Sequence, residues 1–202
     1  MRRGLVILVL GVAGVGKTMF GKALAGLLDL KFIDVPKLVE MRGLHAGYDE
    51  ESKAYLVDLR RLSAAAGSEL RMGGVLASVY AFKPRGIKVS CAIVLRMRPT
   101  ALLSILRARG YSDEKIRENV SAELIDQPLV EAIQRFGRRR VIQLDATGGD
   151  LELLARRAAE VIRSRGVTGL KQLDQEIDWI AELERSGELD GLLRFLESGE
   201  AR

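Results

Sequence analysis

One cysteine and one histidine in 202 residues close off several chemistries. Cys91 cannot build an internal disulfide framework or a Cys-rich zinc site. His45 cannot supply a multi-histidine metal centre, nor any catalytic triad that needs another histidine. Aromatic residues are few (five Phe, four Tyr, one Trp) and scattered, so no stacking platform for single-stranded nucleic acid is visible. The longest apolar run, Leu5–Leu10, is far short of the ~20 residues that span a bilayer. It leads into a glycine loop, not a small-residue cleavage site, and therefore does not read as a secretory signal. A cytoplasmic protein without membrane contact is expected. Asn119 is the sole asparagine; scarce Asn and Cys accord with a thermophilic source or with biased genomic base composition.

What remains is globular. Hydrophobic residues at 48% and charged residues at 29% exclude global disorder, and the length suits one α/β domain. Thirty-two Lys and Arg against 27 Asp and Glu give +5, a balance compatible with phosphate-rich partners. Leu5–Leu10, closed by Gly11, has the pattern of a buried parallel strand. From Thr18, Phe20, Leu24 and Leu27/Leu28 share one helical face. Further strands are predicted at Lys31–Val35, Val75–Tyr80, Lys88–Leu95 and Val141–Leu144, with short helices around a Gly43–Asp49 loop over residues 37–70. Helices are predicted over Thr100–Arg107 after Pro99 and from the Ser112 cap to Phe136, broken at Pro128. Asp150–Arg165 reads as a last core helix. The alternation predicts a parallel sheet covered on both faces. Residues 171–199 carry two leucine- and isoleucine-rich helical stripes, which fit a packed tail or a partner-binding one.

Between the first strand and the first helix stands Gly11-Val-Ala-Gly14-Val15-Gly16-Lys17-Thr18, which matches G-x-x-x-x-G-K-[ST] in its proper context. Glycines let successive N–H groups curl around a β-phosphate, and the helix N-terminus adds its positive end. Lys17 can reach β- and γ-oxygens, and Thr18 can offer a hydroxyl to Mg2+. The expected cofactors are ATP and Mg2+, held by Gly14, Val15, Gly16, Lys17, Thr18 and Met19, with Thr18 on the metal. No Asn-Lys-x-Asp guanine motif is present, and Asp145-Ala-Thr-Gly148 lies too late to be a GTPase switch. A motor or transporter ATPase would need more chain, which leaves a small kinase.

Further segments hold their order and spacing: Leu44-His-Ala-Gly-Tyr-Asp-Glu-Glu51, Gly73-Gly74, Val94-Leu-Arg96, and Arg109-Gly-Tyr111 with Lys115, Glu118-Asn119 and Glu123. With the phosphate loop, they make the chain resemble the adenylate kinase isoenzyme 6 family across residues 4 to about 165. These are small archaeal and nuclear NMP kinases also implicated in small-subunit ribosome maturation. The resemblance implies an α/β P-loop fold of NMP-kinase type over residues 1–165, with a central parallel sheet flanked by helices. It implies a monophosphate-binding region at about 34–57, a lid at about 108–118 and a helical C-terminal extension at 166–202. It further implies a nucleoside monophosphate kinase with ATPase activity, AMP as acceptor, and Lys17 and Arg109 as catalytic residues, Arg109 touching ATP phosphates. The alternative is a nucleotide-gated assembly factor for a small-subunit ribosomal protein (universal protein eleven) and pre-ribosomal RNA, which Arg135, Arg138–Arg140 and Arg156-Arg157 could face.

Four positions depart from that family. Its Asp-x-His at the end of the third strand becomes Ser78 and Tyr80, and a hydroxyl does not replace a carboxylate's charge beside a metal. Glu40 stands where an arginine for the acceptor phosphate is usual, with Arg42 two residues on. Met19 replaces the second hydroxyl after Lys17. Impaired turnover is therefore expected. Of the other acids, Asp34, Asp58 and Asp145 could serve in that carboxylate's place, though each reads first as a structural strand-end residue; His45 reads as a loop residue and Cys91 as a small buried hydrophobe.

Overall fold

The computed structural model describes residues 4–49 and 54–198. Its strands are β1 (Val6–Leu10), β2 (Phe32–Asp34), β3 (His45–Asp49), β4 (Ala54–Val57), β5 (Gly74–Ala77), β6 (Cys91–Arg96) and β7 (Val141–Asp145). Helices are α1 (Lys17–Leu28), α2 (Val35–Arg42), α3 (Leu59–Glu69), α4 (Pro99–Ala108), α5 (Asp113–Leu124), α6 (Gln127–Phe136), α7 (Leu151–Arg165), α8 (Trp179–Ser186) and α9 (Leu189–Glu197). Five strands make one parallel sheet in the order β2-β5-β1-β6-β7. β1 is central and every residue of it is buried, which is why it is apolar without alternation. The crossover leaving β1 runs past β5 to β2, and the one leaving β5 runs the opposite way, past β1 to β6. The crevice at the C-terminal end of β1 is therefore the topological switch point where open α/β sheets bind ligands.

Successive β1 side chains feed two cores. Ile7 and Val9 join Phe20, Leu102, Val120 and Ile162 under α1, α4, α5 and α7. Val6, Leu8 and Leu10 join Leu38, Leu62 and Ala132 under α2, α3 and α6. The C-terminal segment packs on the first core through buried Leu170, Trp179, Leu183 and Leu192, so of the two readings of the tail the packed one holds.

Local differences from the sequence expectations have simple causes. Residues expected to loop at Gly43–Asp49 form β3, because they pair antiparallel with β4, a partner too short to show alternation. Glu50, Glu51 and Ser52-Lys53 lie outside the described residues. β5 ends at Ala77, not Tyr80, because the Ser78 hydroxyl accepts the Tyr80 amide at 2.9 Å and turns the chain. β6 begins at Cys91, three residues later than expected. The helix from Ser112 breaks at Asp126, whose φ is 60°, and Pro128 lies in the first turn of α6, where its missing N–H costs nothing. Among the described residues no helix is long and apolar enough to cross a membrane.

Candidate nucleotide site

The phosphate loop leaves β1 at Gly11, whose φ is 140° and whose added Cβ would lie 2.6 Å from the Leu95 carbonyl oxygen. No other residue fits that approach to β6. Val15 is fully buried and anchors the loop from below. Gly16, at φ 91°, occupies the N-cap of α1 and leaves no side chain over the helix N-terminus. Lys17 is the first helical residue and donates Nζ–H to the Val12 carbonyl at 2.7 Å. Burial pulls its pKa from 10.5 to about 8, against the opposing pull of Asp34 and Glu123. Met19 has its side chain out in a cleft between α1 and α7 with Lys22, Leu27 and Arg156, away from Asp34.

Thr18 donates its hydroxyl to Asp34 Oδ2 at 2.8 Å. The other Asp34 oxygen accepts the Lys37 amide at 3.4 Å and caps α2. The acid is thus both a strand-end cap and the carboxylate facing the Walker-type threonine. Ser78 follows β5 beside β1, its amide donating to the Val9 carbonyl at 3.0 Å and its buried hydroxyl accepting the Tyr80 amide. Asp58 and Asp145 keep to structural work: Asp58 caps α3, and Asp145 accepts the amide and hydroxyl of Thr147. Thr18 and Asp34 are hard oxygen donors, and Mg2+ takes few of these from a protein, completing its octahedron with water and phosphate. The pair fits such a shared ion, and among the described residues no cluster of three or more His, Cys, Asp or Glu offers an all-protein cage.

A helical arm lies over the loop. Leu102 and Leu106 of α4 come within 2.9 Å of where a Gly14 Cβ would be. From α5, Asn119 Oδ1 accepts the Ala13 amide at 2.9 Å while its Nδ2 donates to the Lys115 carbonyl. Between the two helices, Arg109 is the exposed C-cap of α4, followed by Gly110 at φ 73° and the Ser112 cap of α5. Under the arm is a buried charged network. Arg96 is 0% exposed and donates to Glu123 Oε1 at 2.7 Å, to Gln143 Oε1 at 2.9 Å and to Asp126. Glu123 Oε1 also accepts the Met97 amide at 3.1 Å and the Trp179 indole at 2.9 Å. Burial pushes this carboxyl up, and Arg96, Trp179 and Met97 hold it back.

The family described as AAA domain matches residues 7–126, from β1 to the end of the arm. A protein of Thermococcus onnurineus described as "Putative adenylate kinase" is 30% identical over 97% of this chain and 99% of its own length. A Thermococcus kodakarensis protein of the same description is 31% identical over 87% of this chain and 93% of its own. The chain belongs to this AAA-domain family of P-loop proteins, together with these relatives. A gluconokinase structure from Sinorhizobium meliloti has the same fold, with a TM-score of 0.52 at 20% identity over 86% of this chain and 95% of that one.

In this P-loop kinase-type protein, the acceptor side departs furthest from what the resemblance implies. Glu40 is exposed on α2, and Arg42 is bound to Glu69 at 2.8 Å instead of standing free. A cavity of about 490 Å³ opens next to Thr18 and Asp34, walled by Lys22, Phe32, Lys37 and Met41. Two contacts of the candidate site are not legible in the sequence, that of Asp34 with Thr18 and that of Glu123 with Arg96 and Trp179. For Asp34 the available signal is a strand-end acid beside the loop strand's neighbour. Glu123 falls on the face of Ile116 and Val120, and a carboxylate on a buried helical face was the signal there.

Proposed function

We propose that the chain is an ATP-dependent nucleoside monophosphate kinase of adenylate kinase type, acting on AMP in the cytoplasm, with slow ATP hydrolysis alongside. The observation that carries this reading is the Thr18–Asp34 pair, which returns to the mouth of the loop the negative charge that Ser78 lacks. Mg·ATP, when bound, would supply the phosphoryl group and a cation to offset phosphate charge. The chain's own residues bind and orient. Loop amides from Gly14 to Thr18 hold phosphate oxygens, and the Lys17 ammonium exchanges the Val12 carbonyl for them. Thr18 and Asp34 would hold the magnesium. Arg109, in a lid at 108–118, brings a guanidinium to the developing charge. Residues 34–57 and the cavity beside Asp34 receive the acceptor, with Lys22 and Lys37 in place of the arginine that Glu40 replaces. Residues 1–165 form the kinase unit and 166–202 its extension. The relatives described as adenylate kinases over nearly their whole length support this reading.

Coupled measurement of ADP formation from ATP, with and without each monophosphate, tests it: AMP should raise the rate above the ATP-only background. A rate indifferent to every monophosphate would sink the kinase reading. The second reading, a nucleotide-gated factor for small-subunit maturation, draws on Ser78, whose hydroxyl accepts the Tyr80 amide. Its signature would be ATP-dependent binding to pre-ribosomal RNA or universal protein eleven without ADP formation.

A further inference from the structure

Two aromatic residues of the C-terminal segment grip the helices that hold the phosphate loop. Trp179, at the start of α8, is the third donor on Glu123 Oε1, after Arg96 and the Met97 amide. Glu123 Oε2 is buried with no hydrogen-bond partner among the described residues, so the whole of the carboxylate's local satisfaction falls on that one oxygen. Phe195 of α9 has its ring 4.8 Å from the Arg107 guanidinium carbon of α4 and 5.9 Å from that of Arg117 in α5. Arg98, the residue before α4, donates to Ser186 at 2.8 Å and pairs with Glu182 and Glu188. These anchors all fall on the α4–α5 arm. That arm touches the loop twice, through Leu102 and Leu106 against Gly14 and through Asn119 on the Ala13 amide.

Asn119 and Glu123 are four residues apart on α5 and so lie on one face, a turn from each other. Any rotation of α5 that relaxes Glu123 carries Asn119 with it and strips the Ala13 amide of its acceptor. We propose that the C-terminal segment is a working part of the nucleotide site, with Trp179 a positioning residue that sets the phosphate loop through Glu123 and Asn119. The proposal rests on the reading that the loop binds Mg·ATP. The field of Glu123 also favours the ammonium form of Lys17, so the same carboxylate supports the loop's cation.

Trp179→Phe keeps a ring and removes the donor. Leu183→Ala is the control: its side chain is buried in the same helix, is apolar and makes no hydrogen bond, and the backbone carbonyl that accepts from Ser186 and Glu188 is kept. Three quantities are measured on the full chain: Mg·ATP affinity by calorimetry, the urea unfolding midpoint, and hydrogen exchange of residues 11–18 without nucleotide. Trp179→Phe should weaken Mg·ATP at least about fivefold, the low end of energetic coupling between sites, and should speed exchange at 11–18. Leu183→Ala should lower the unfolding midpoint and leave affinity and loop exchange near the parent's. Adding Asn119→Ala to Trp179→Phe should cost no more affinity than Asn119→Ala alone, as for two residues on one path. Parental affinity in Trp179→Phe, an equal loss in Leu183→Ala, or additive losses would overturn the proposal. If the parent itself binds no Mg·ATP, the nucleotide reading fails, and loop exchange decides alone: unchanged exchange in Trp179→Phe overturns the positioning role, and faster exchange confined to that variant sustains it.

Discussion

Lys17 is placed where its charge is useful and expensive. Burial brings its pKa to about 8, and phosphate binds only the ammonium well. Nucleotide binding must therefore raise that pKa. Below about 8 the proton is already present; above it, each binding event takes one up from solvent. ATP affinity should fall by up to about tenfold per pH unit above that point, with net proton uptake in calorimetry. Lys17→Met should bind more weakly and without this slope. In the empty protein the sign runs the other way: between about 8 and 10.5 the unfolded chain holds the proton longer, so stability rises with pH. Under the proposed function Asp34 would also hold the metal, besides favouring the Lys17 ammonium. Asp34→Asn keeps a cap for α2, and it should cut the magnesium enhancement of ATP binding about tenfold or more, by analogy with losses on removing metal-supporting groups. Calorimetry with magnesium and with chelator checks this; an undiminished magnesium effect would remove Asp34 from the metal corner.

At the scale of elements, the α4–α5 turn exposes Arg109 together with Tyr111. Arg109→Ala should lower kcat by about 10²–10³, by analogy with the loss of one oxyanion-hole donor, while ATP Kd stays near the parent's. Arg107 is no control for this measurement, because its guanidinium lies on Phe195. Arg139, exposed in the turn before β7, serves instead. The sequence made this turn and the phosphate loop legible because each is written in consecutive residues: Gly11 to Thr18, and Arg109 to Ser112. The β3–β4 hairpin escaped because five residues and four carry too few alternations to compete with a helical reading. The Thr18–Asp34 contact and the network on Glu123 escaped for a different reason. They join residues 16 and 56 apart in the chain, and only the strand order and the return of the C-terminal segment bring them together.

For the whole molecule, Arg96 is the point where the layers meet: β6 carries it, β7 answers through Gln143, α5 through Glu123, and the linker to α6 through Asp126. Arg96→Ala would strand a buried carboxylate without its cation, which costs about 3–5 kcal/mol in comparable pairs. Urea unfolding should register a loss of that size, and a loss under about 1 kcal/mol, the range of exposed pairs, would mean water has entered to replace the guanidinium. Cys91 opens β6 from within the same core, and burial pushes its thiol pKa up to about 12. Only the thiolate is a competent nucleophile, so in the folded chain the one native sulfhydryl is silent toward maleimides and disulfide reagents. A cysteine introduced on the surface, at the Arg109 turn or on α9, could therefore be labelled alone in an otherwise unmodified sequence. Modification of Cys91 itself would time the moments when β6 leaves the sheet.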